Sequence, residues 1–471
     1  MEISIGKKDI LWGYHAQFFS IGAGLITLPL ILNKLPAEEV GMNYILLSVG
    51  ALVSLCDFGF APLIGRNITY VFSGAHKLQK KGLDTSQVGS DVDYHLLAAV
   101  IETAKFIYRR VSLLVLLLLA TLGTFYMYNV TEGFTNIKNS LIIWITYSVS
   151  VYFNLYFKYY NSLLIGAAKI VKSKKAIILS RSVYIVICYI LVLSGCGLLS
   201  VVIANFISPF VERYYSYYSF YDNELKNRLK NIIISKSEVL EVFDVLWYTS
   251  KWLGLNMLGG YAYNQSGTFI LGLYLPLADV ASYGLMLQLF SIVSGLASSV
   301  AITYQPIFCK YRVKNDIYNL TKYFSMSILV LWTILSAGTL FIAFGCPYIL
   351  EVIKSNSALP SVGLVLFFGL ETILHENHAQ FGSFIATNNE IPFVLPSLIT
   401  GFIVVVLSVV FLKFFSLGIL GIILSRFITE TAYNHWKWPK WVLKELKIGP
   451  LSFVICGINQ LYSSIIKLIK K

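Results

Sequence analysis

The densest set of titratable groups in apolar surroundings is Glu371, His375, Glu376 and His378, set in a run of Val, Leu, Ile and Phe. Glu371, His375 and His378 follow i, i+4, i+7 spacing and share one helix face. Histidine titrates near neutral pH and burial raises a carboxylate, so this stripe can exchange protons. It can equally hydrogen-bond sugar hydroxyls, or be a structural polar patch. No metal site is expected, because His-Glu-Asn-His lacks the paired-histidine spacing of zinc helices and no Cys lies beside it. Arg426 stands in a second apolar run with Glu430 one turn later. Its planar guanidinium suits a phosphate, which it grips through two oxygens; the alternative is a neutralised Arg426–Glu430 pair that locks helix packing. Lys158 lies among Tyr156, Phe157, Tyr159 and Tyr160, rings that can stack on sugars or hold the ammonium; snorkelling to headgroups is the other reading. Lys251 and Arg66 stand at the ends of apolar runs, where a cation either captures an entering anion or anchors the helix. Asp57 lies inside a run, suited to a hydrogen-bonded helix contact or to cation coupling.

The elements that must position these residues follow from composition. The chain is 56% hydrophobic and 13% charged with mean hydropathy +0.70, where a soluble domain has about a quarter charged residues. Runs of roughly twenty apolar residues, enough to cross about 30 Å of hydrocarbon, fall at 10–32, 41–64, 111–128, 141–165, 176–194, 198–218, 245–273, 280–304, 324–345, 362–385, 393–412 and 417–433. The expected fold class is an all-α polytopic membrane protein of about twelve spans. Charges inside spans are costly and face the bundle interior, which makes each a functional candidate.

The net charge of +13 is explained by orientation rather than by nucleic acid. Of the 37 Lys and Arg, only Lys34, Lys138, Lys354 and Lys413 fall on one set of loops and Lys158, Lys251 and Arg426 are assigned to spans; the rest lie on the other set of loops or, as Arg181 and Arg213, in the span ends beside them. By the positive-inside rule both termini are cytoplasmic. The first apolar run lacks a cleavage site and reads as a retained span. The six cysteines show no C-x-x-C spacing and read as small buried hydrophobes.

A long polar insert divides the chain into an N-terminal six-helix bundle over 1–220, a cytoplasmic linker loop over 221–244 and a C-terminal bundle over 245–439. A basic amphipathic tail, 440–471, suits an interfacial helix on an acidic leaflet, with a further span across 448–469 as the alternative. Leu35-Pro36 and Glu39-Val40 recur as Leu275-Pro276 and Asp279-Val280, a faint parallel repeat. Outer loops are short, which counts against an enzyme that joins saccharides outside the cell. No Walker motif, Gly-rich phosphate loop or Ser-His-Asp set is present.

The stretch 52–66, LVSLCDFGFAPLIGR, resembles the Asp-hydrophobic-Gly motif with following Arg of the bacterial polysaccharide-unit (O-antigen and capsule) flippases of the multidrug/oligosaccharidyl-lipid/polysaccharide exporter superfamily. ILGLYLPLADVASYGLMLQL, ending at Leu289, resembles their seventh-to-eighth-span segment, although Gly267 stands near a frequent Asp. The resemblance implies a MATE-like V of two six-helix bundles around a central cavity. It implies a bacterial inner-membrane flippase for an undecaprenyl-pyrophosphate-linked oligosaccharide, driven by alternating access. Arg426, Lys158, Lys251 and Arg66 would be cavity cations, with Asp57, Glu371, His375, His378 and Glu430 in coupling or polar contacts. No cofactor is expected, with H+ or Na+ as coupling ion. Membrane lipids, a polysaccharide polymerase and glycosyltransferases would be its partners. The rival readings are a cation-coupled drug or metabolite exporter of the same fold and, behind it, a membrane polymerase or glycosyltransferase.

Overall fold

The computed structural model describes residues 26–80, 91–388 and 392–469 together with positions 12, 19, 22 and 24, and their side chains except at 253, 256, 306, 310, 313 and 464–469. Most of the expected first span, and part of the inner turn 387–390, lie outside the described residues. The described chain is helical with no β-strand. Two compact units divide it, Met1–Leu258 and Gly259–Lys471.

In the first unit, residues 26–34 are helical and are followed by α1 (Ala37–Leu55), α2 (Phe60–Phe72), α3 (Tyr94–Val130), α4 (Ser140–Gly166), α5 (Ile170–Leu193), α6 (Leu199–Phe220) and α7 (Asn223–Leu229). α8 (Lys236–Asn264) crosses the division. The second unit continues with α9 (Ser266–Tyr274), α10 (Leu277–Val313), α11 (Ile317–Val352), α12 (Val362–Ala386), α13 (Val394–Lys413), α14 (Gly418–Ala432), α15 (Asn434–Glu445) and α16 (Pro450–Ile469).

Each expected span from the second onward falls on one of these helices or a broken pair. The segment 221–244, expected as a loop, is mostly helical. Asp222 caps α7 by accepting from the Leu225 N–H at 2.9 Å, and Ser235 and Glu238 bond reciprocally at the start of α8, the capping-box arrangement. Residues 440–471, expected as a tail, hold the end of α15, which starts at Asn434, and α16.

Seven described helices are long and apolar enough to cross a membrane: α1, α3, α4, α5, α10, α11 and α13. Their outer faces are built for lipid. Leu117, Leu122 and Phe125 of α3 are 67%, 69% and 70% exposed, a continuous apolar surface that water would not tolerate. The expected spans outside that set are shorter, interrupted or polar: α14 is 15 residues long, α8 and α9 are separated at Gln265, and α12 holds Glu371, His375, Glu376 and His378.

Two features set local geometry in the first unit. α1 ends at Leu55 and α2 starts at Phe60, with Phe58 at φ 45° and Gly59 at φ 73°; a left-handed pair of this kind needs glycine at one position. Where α2 crosses α4, a Cβ on Gly166 would stand 2.6 Å from the Gly65 carbonyl oxygen and from Ile68 Cβ, so only glycine permits that approach. In the second unit, Phe324, Phe381, Phe384, Trp438, Val442 and Phe453 form one buried core. It clamps α11, α12, α15 and α16 together and fixes the helices that carry the polar groups.

Candidate functional site

The helix break of the first unit turns Asp57 inward, leaving it 3% exposed. Tyr108 Oη of α3 donates to its Oδ1 at 2.5 Å, and Lys158 Nζ lies 3.1 Å from its Oδ2. Phe58, the next residue, fills the space beside Gly254 and accepts from Ser250 Oγ at 2.8 Å, which ties the motif to α8. Lys158 sits where α4 is interrupted between Phe157 and Tyr159. Its side chain remains 39% exposed.

The aromatic cluster around Lys158 does not hold that ammonium as a cation–π partner. Phe157 and Tyr160 instead receive the Arg213 guanidinium of α6, 4.8 and 5.8 Å from their ring centroids. Arg66 is exposed and lines a cavity of about 300 Å³ with Asn67, Tyr70, Lys77, Gln79 and Lys80. Lys80 pairs there with Asp244. Lys251 rests over its own helix neighbours Tyr248 and Trp252 at 5.7 and 5.6 Å.

The second unit holds the larger polar cluster. Arg426 is 4% exposed and Glu371 fully buried. Arg426 Nε donates to Glu371 Oε1 at 3.3 Å, and Nη2 lies 3.2 Å from Oε2. Tyr263 Oη donates to the same carboxylate. The guanidinium also lies 4.2 Å above the Tyr263 ring and 5.0 Å from that of Phe368. The expected Arg426–Glu430 pair is therefore not formed. One turn of helix separates those two residues, but Glu371 on α12 brings its carboxylate within 3.2–3.3 Å of the guanidinium, and Glu430 lies against other side chains.

Those side chains are histidines. His375 Nδ1 and His378 Nδ1 lie 3.0 and 3.2 Å from Glu430 Oε2, and His435 Nε2 of α15 lies 3.4 Å from the same oxygen. His375 stacks on Tyr263 at 4.2 Å, which joins the two carboxylate centres through one ring pair. Glu376 faces the other way and accepts from Ser298 Oγ of α10 at 3.1 Å. A cavity of about 220 Å³ opens beside the cluster, lined by Tyr263, His375, His378, Glu430, Asn434 and Trp438 among others.

Ligand atoms of His375, His378 and Glu430 all lie within 4.8 Å of one another, a donor set that suits a divalent cation, although His375 Nδ1 is already hydrogen-bonded to Glu430 and His378 Nδ1 to the Leu374 carbonyl. Sequence spacing could not show this, because the grouping depends on Glu430 meeting α12 in three dimensions. His435, Tyr263, Tyr108 and Arg213 were also not singled out in the sequence. The signal available for His435 was its i+5 distance from Glu430, and Tyr263 and Tyr108 were hidden among 31 tyrosines.

Of the nine candidates, Asp57 and Lys158 meet in the first unit, and Glu371, His375, His378, Arg426 and Glu430 converge in the second. Arg66 and Lys251 join neither cluster. The arrangement can hold an anionic group at a half-exposed lysine, and it can carry protons or a cation along a buried carboxylate–imidazole network.

No curated protein matches the chain by sequence. Among solved structures it is similar to an inward-facing multidrug resistance MATE family transporter of the MOP superfamily, at TM-score 0.63 and 14% identity over 92% of this chain and 95% of that one. It is also similar to the lipid II flippase MurJ in an inward closed conformation, at TM-score 0.64 and 13% identity over 98% and 93%. Identities this low establish the fold, that of the MOP superfamily transporters. Residues 7–312 match the family model described as polysaccharide biosynthesis protein. With its apolar helices, lipid-facing side chains and buried in-span charges, the chain is a multi-pass membrane protein that belongs to the polysaccharide biosynthesis protein family.

Proposed function

We propose that this protein is a flippase that moves an undecaprenyl-pyrophosphate-linked oligosaccharide repeat unit from the cytoplasmic to the periplasmic leaflet of the bacterial inner membrane, for O-antigen, capsule or related polysaccharide synthesis. Alternating access provides the movement and the protein carries no catalytic group of its own. Inner-leaflet glycosyltransferases supply the substrate and a polymerase consumes it. Both termini are cytoplasmic.

The observation that carries the reading is Lys158. A cation inside a span persists only if something needs it there. Its ammonium has three donors, Asp57 takes one, and the side chain is 39% exposed, so it can exchange toward a phosphate oxygen. Arg426 differs: fully enclosed and neutralised, it holds α12 to α14. Glu430 with its histidines is the coupling group for H+ or Na+. That polar cavity also favours a second reading, a cation-coupled exporter of small molecules. Lys158→Ala is expected to abolish surface polymer in a complementation assay while the protein inserts at normal abundance, and Lys158→Arg to retain polymer. Normal polymer from Lys158→Ala would remove the mechanism.

A further inference from the structure

In the second unit an apolar groove of about 770 Å³ runs between α11, α12, α15 and α16. Its wall is made of Trp332, Phe381, Trp436 and Phe453 together with aliphatic side chains. The polar atoms of its aromatics are already satisfied: Trp332 Nε1 donates to Asn377 Oδ1 at 3.0 Å and Trp436 Nε1 to the Ala432 carbonyl at 3.2 Å. The surface left to an occupant is therefore hydrocarbon-like.

One rim is strongly basic. Lys440, Lys444 and Lys447 line the groove and are exposed, and i, i+4, i+7 spacing sets them along one side of α15 and its exit. No carboxylate lines the groove, and these three lysines have no carboxylate partner among the described residues. The adjacent Glu445 does not neutralise them because it is held by Arg312 and Asn388. Lys447 also occupies a left-handed position, φ 53°, just after the helix end, where glycine is the usual residue. A charged side chain is thus presented at a left-handed position that glycine would fill at lower cost.

We propose that this groove binds an anionic phospholipid of the bilayer, its acyl chains along the aromatic wall and its phosphate on Lys440, Lys444 and Lys447. An apolar slot ending in unpaired cations is complementary to a molecule with a hydrocarbon body and one phosphate end. The three basic residues all belong to α15 and its exit, and the wall includes Phe381 and Phe453 of the buried core. That suits a lipid whose head stays at one interface better than a carrier whose head must cross.

The test is quenching of tryptophan fluorescence in the full-length, detergent-solubilised chain by brominated-chain phosphatidylglycerol and, separately, phosphatidylcholine. Phosphatidylglycerol is expected to quench at lower concentration, each lysine neutralised raising that concentration about fivefold. Lys447→Gly is the decisive variant, since it removes the charge and relieves the backbone, so affinity falls without loss of thermal stability. Trp332→Phe with Trp436→Phe is expected to reduce the saturable quenching, the other six tryptophans remaining. Equal quenching by both lipids, unchanged affinity in Lys447→Gly and Lys440→Gln/Lys444→Gln, or saturable quenching undiminished by loss of these two of the eight tryptophans overturns the proposal. Displacement of phosphatidylglycerol by an isoprenyl pyrophosphate at lower concentration also overturns it, by assigning the groove to a carrier lipid.

Discussion

Arg426 and Glu371 are 4% and 0% exposed, and neither can be removed alone without stranding the other charge out of water. Arg426→Met is expected to destabilise the fold by about 3–5 kcal/mol, the usual cost of an uncompensated buried ion. The double variant Arg426→Met/Glu371→Leu is expected to recover most of that loss. Thermal unfolding of the detergent-solubilised protein checks both, and a double variant as unstable as the single would show that the pair is more than a packing lock. Arg426 was legible in the sequence as a deep charge with no route to the headgroups. Its partner was not, because the two residues are 55 positions apart and the nearer Glu430 satisfied the same spacing rule. At the residue scale, charge inside a span announces itself, but the choice among carboxylates is made by where helices cross.

Helix positions followed the apolar runs closely, and the breaks followed the backbone. The Asp57-Phe58-Gly59 stretch interrupts a run that hydropathy reads as continuous, since Phe58 and Gly59 take positive φ and turn Asp57 toward Tyr108 and Lys158. The cap of α7 gives a test at this scale. Asp222 lies below its ordinary value of 3.8, held down first by the Leu225 backbone N–H and then by Lys169. A lowered folded value means the cap stabilises the protein above 3.8 and loses that contribution as pH falls through the folded value. Asp222→Ala is therefore expected to cost about 1 kcal/mol near neutral pH, with the gap to the parent protein closing as pH drops below the unfolded carboxylate value. Melting curves at several pH values check it; a gap constant down to strong acid would assign the effect to something other than the carboxylate.

For the whole molecule, orientation is the property that charge distribution governs. Of the 37 Lys and Arg, all but seven lie on or beside one alternate set of loops, a bias that by the positive-inside rule predicts a cytoplasmic position for those loops. Cysteines introduced at Lys77 and Lys444 are expected to react with a membrane-impermeant maleimide only after the cell is opened, and those at Lys138 and Lys354 in intact cells with a permeable outer envelope. Labelling of Lys444→Cys from outside would reverse the orientation of the tail. Exposed apolar residues such as Phe402 at 69% and Leu395 at 65% on α13 give the matching lipid-facing surface.

The sequence by itself determined the class of molecule, the positions of the seven long apolar helices and the identity of the costly charges in apolar runs, because those depend on transfer free energies that residues carry wherever they sit. It also carried the family likeness through the 52–66 motif. Tertiary structure alone decided that Arg426 meets Glu371, that Glu430 gathers His375, His378 and His435, and that Arg213 rather than Lys158 takes the aromatic cluster. Those outcomes rest on distances of 3–5 Å between segments far apart in the chain, and hydrogen bonds and ion pairs decay over that range, so spacing along a single helix cannot rank the competing partners.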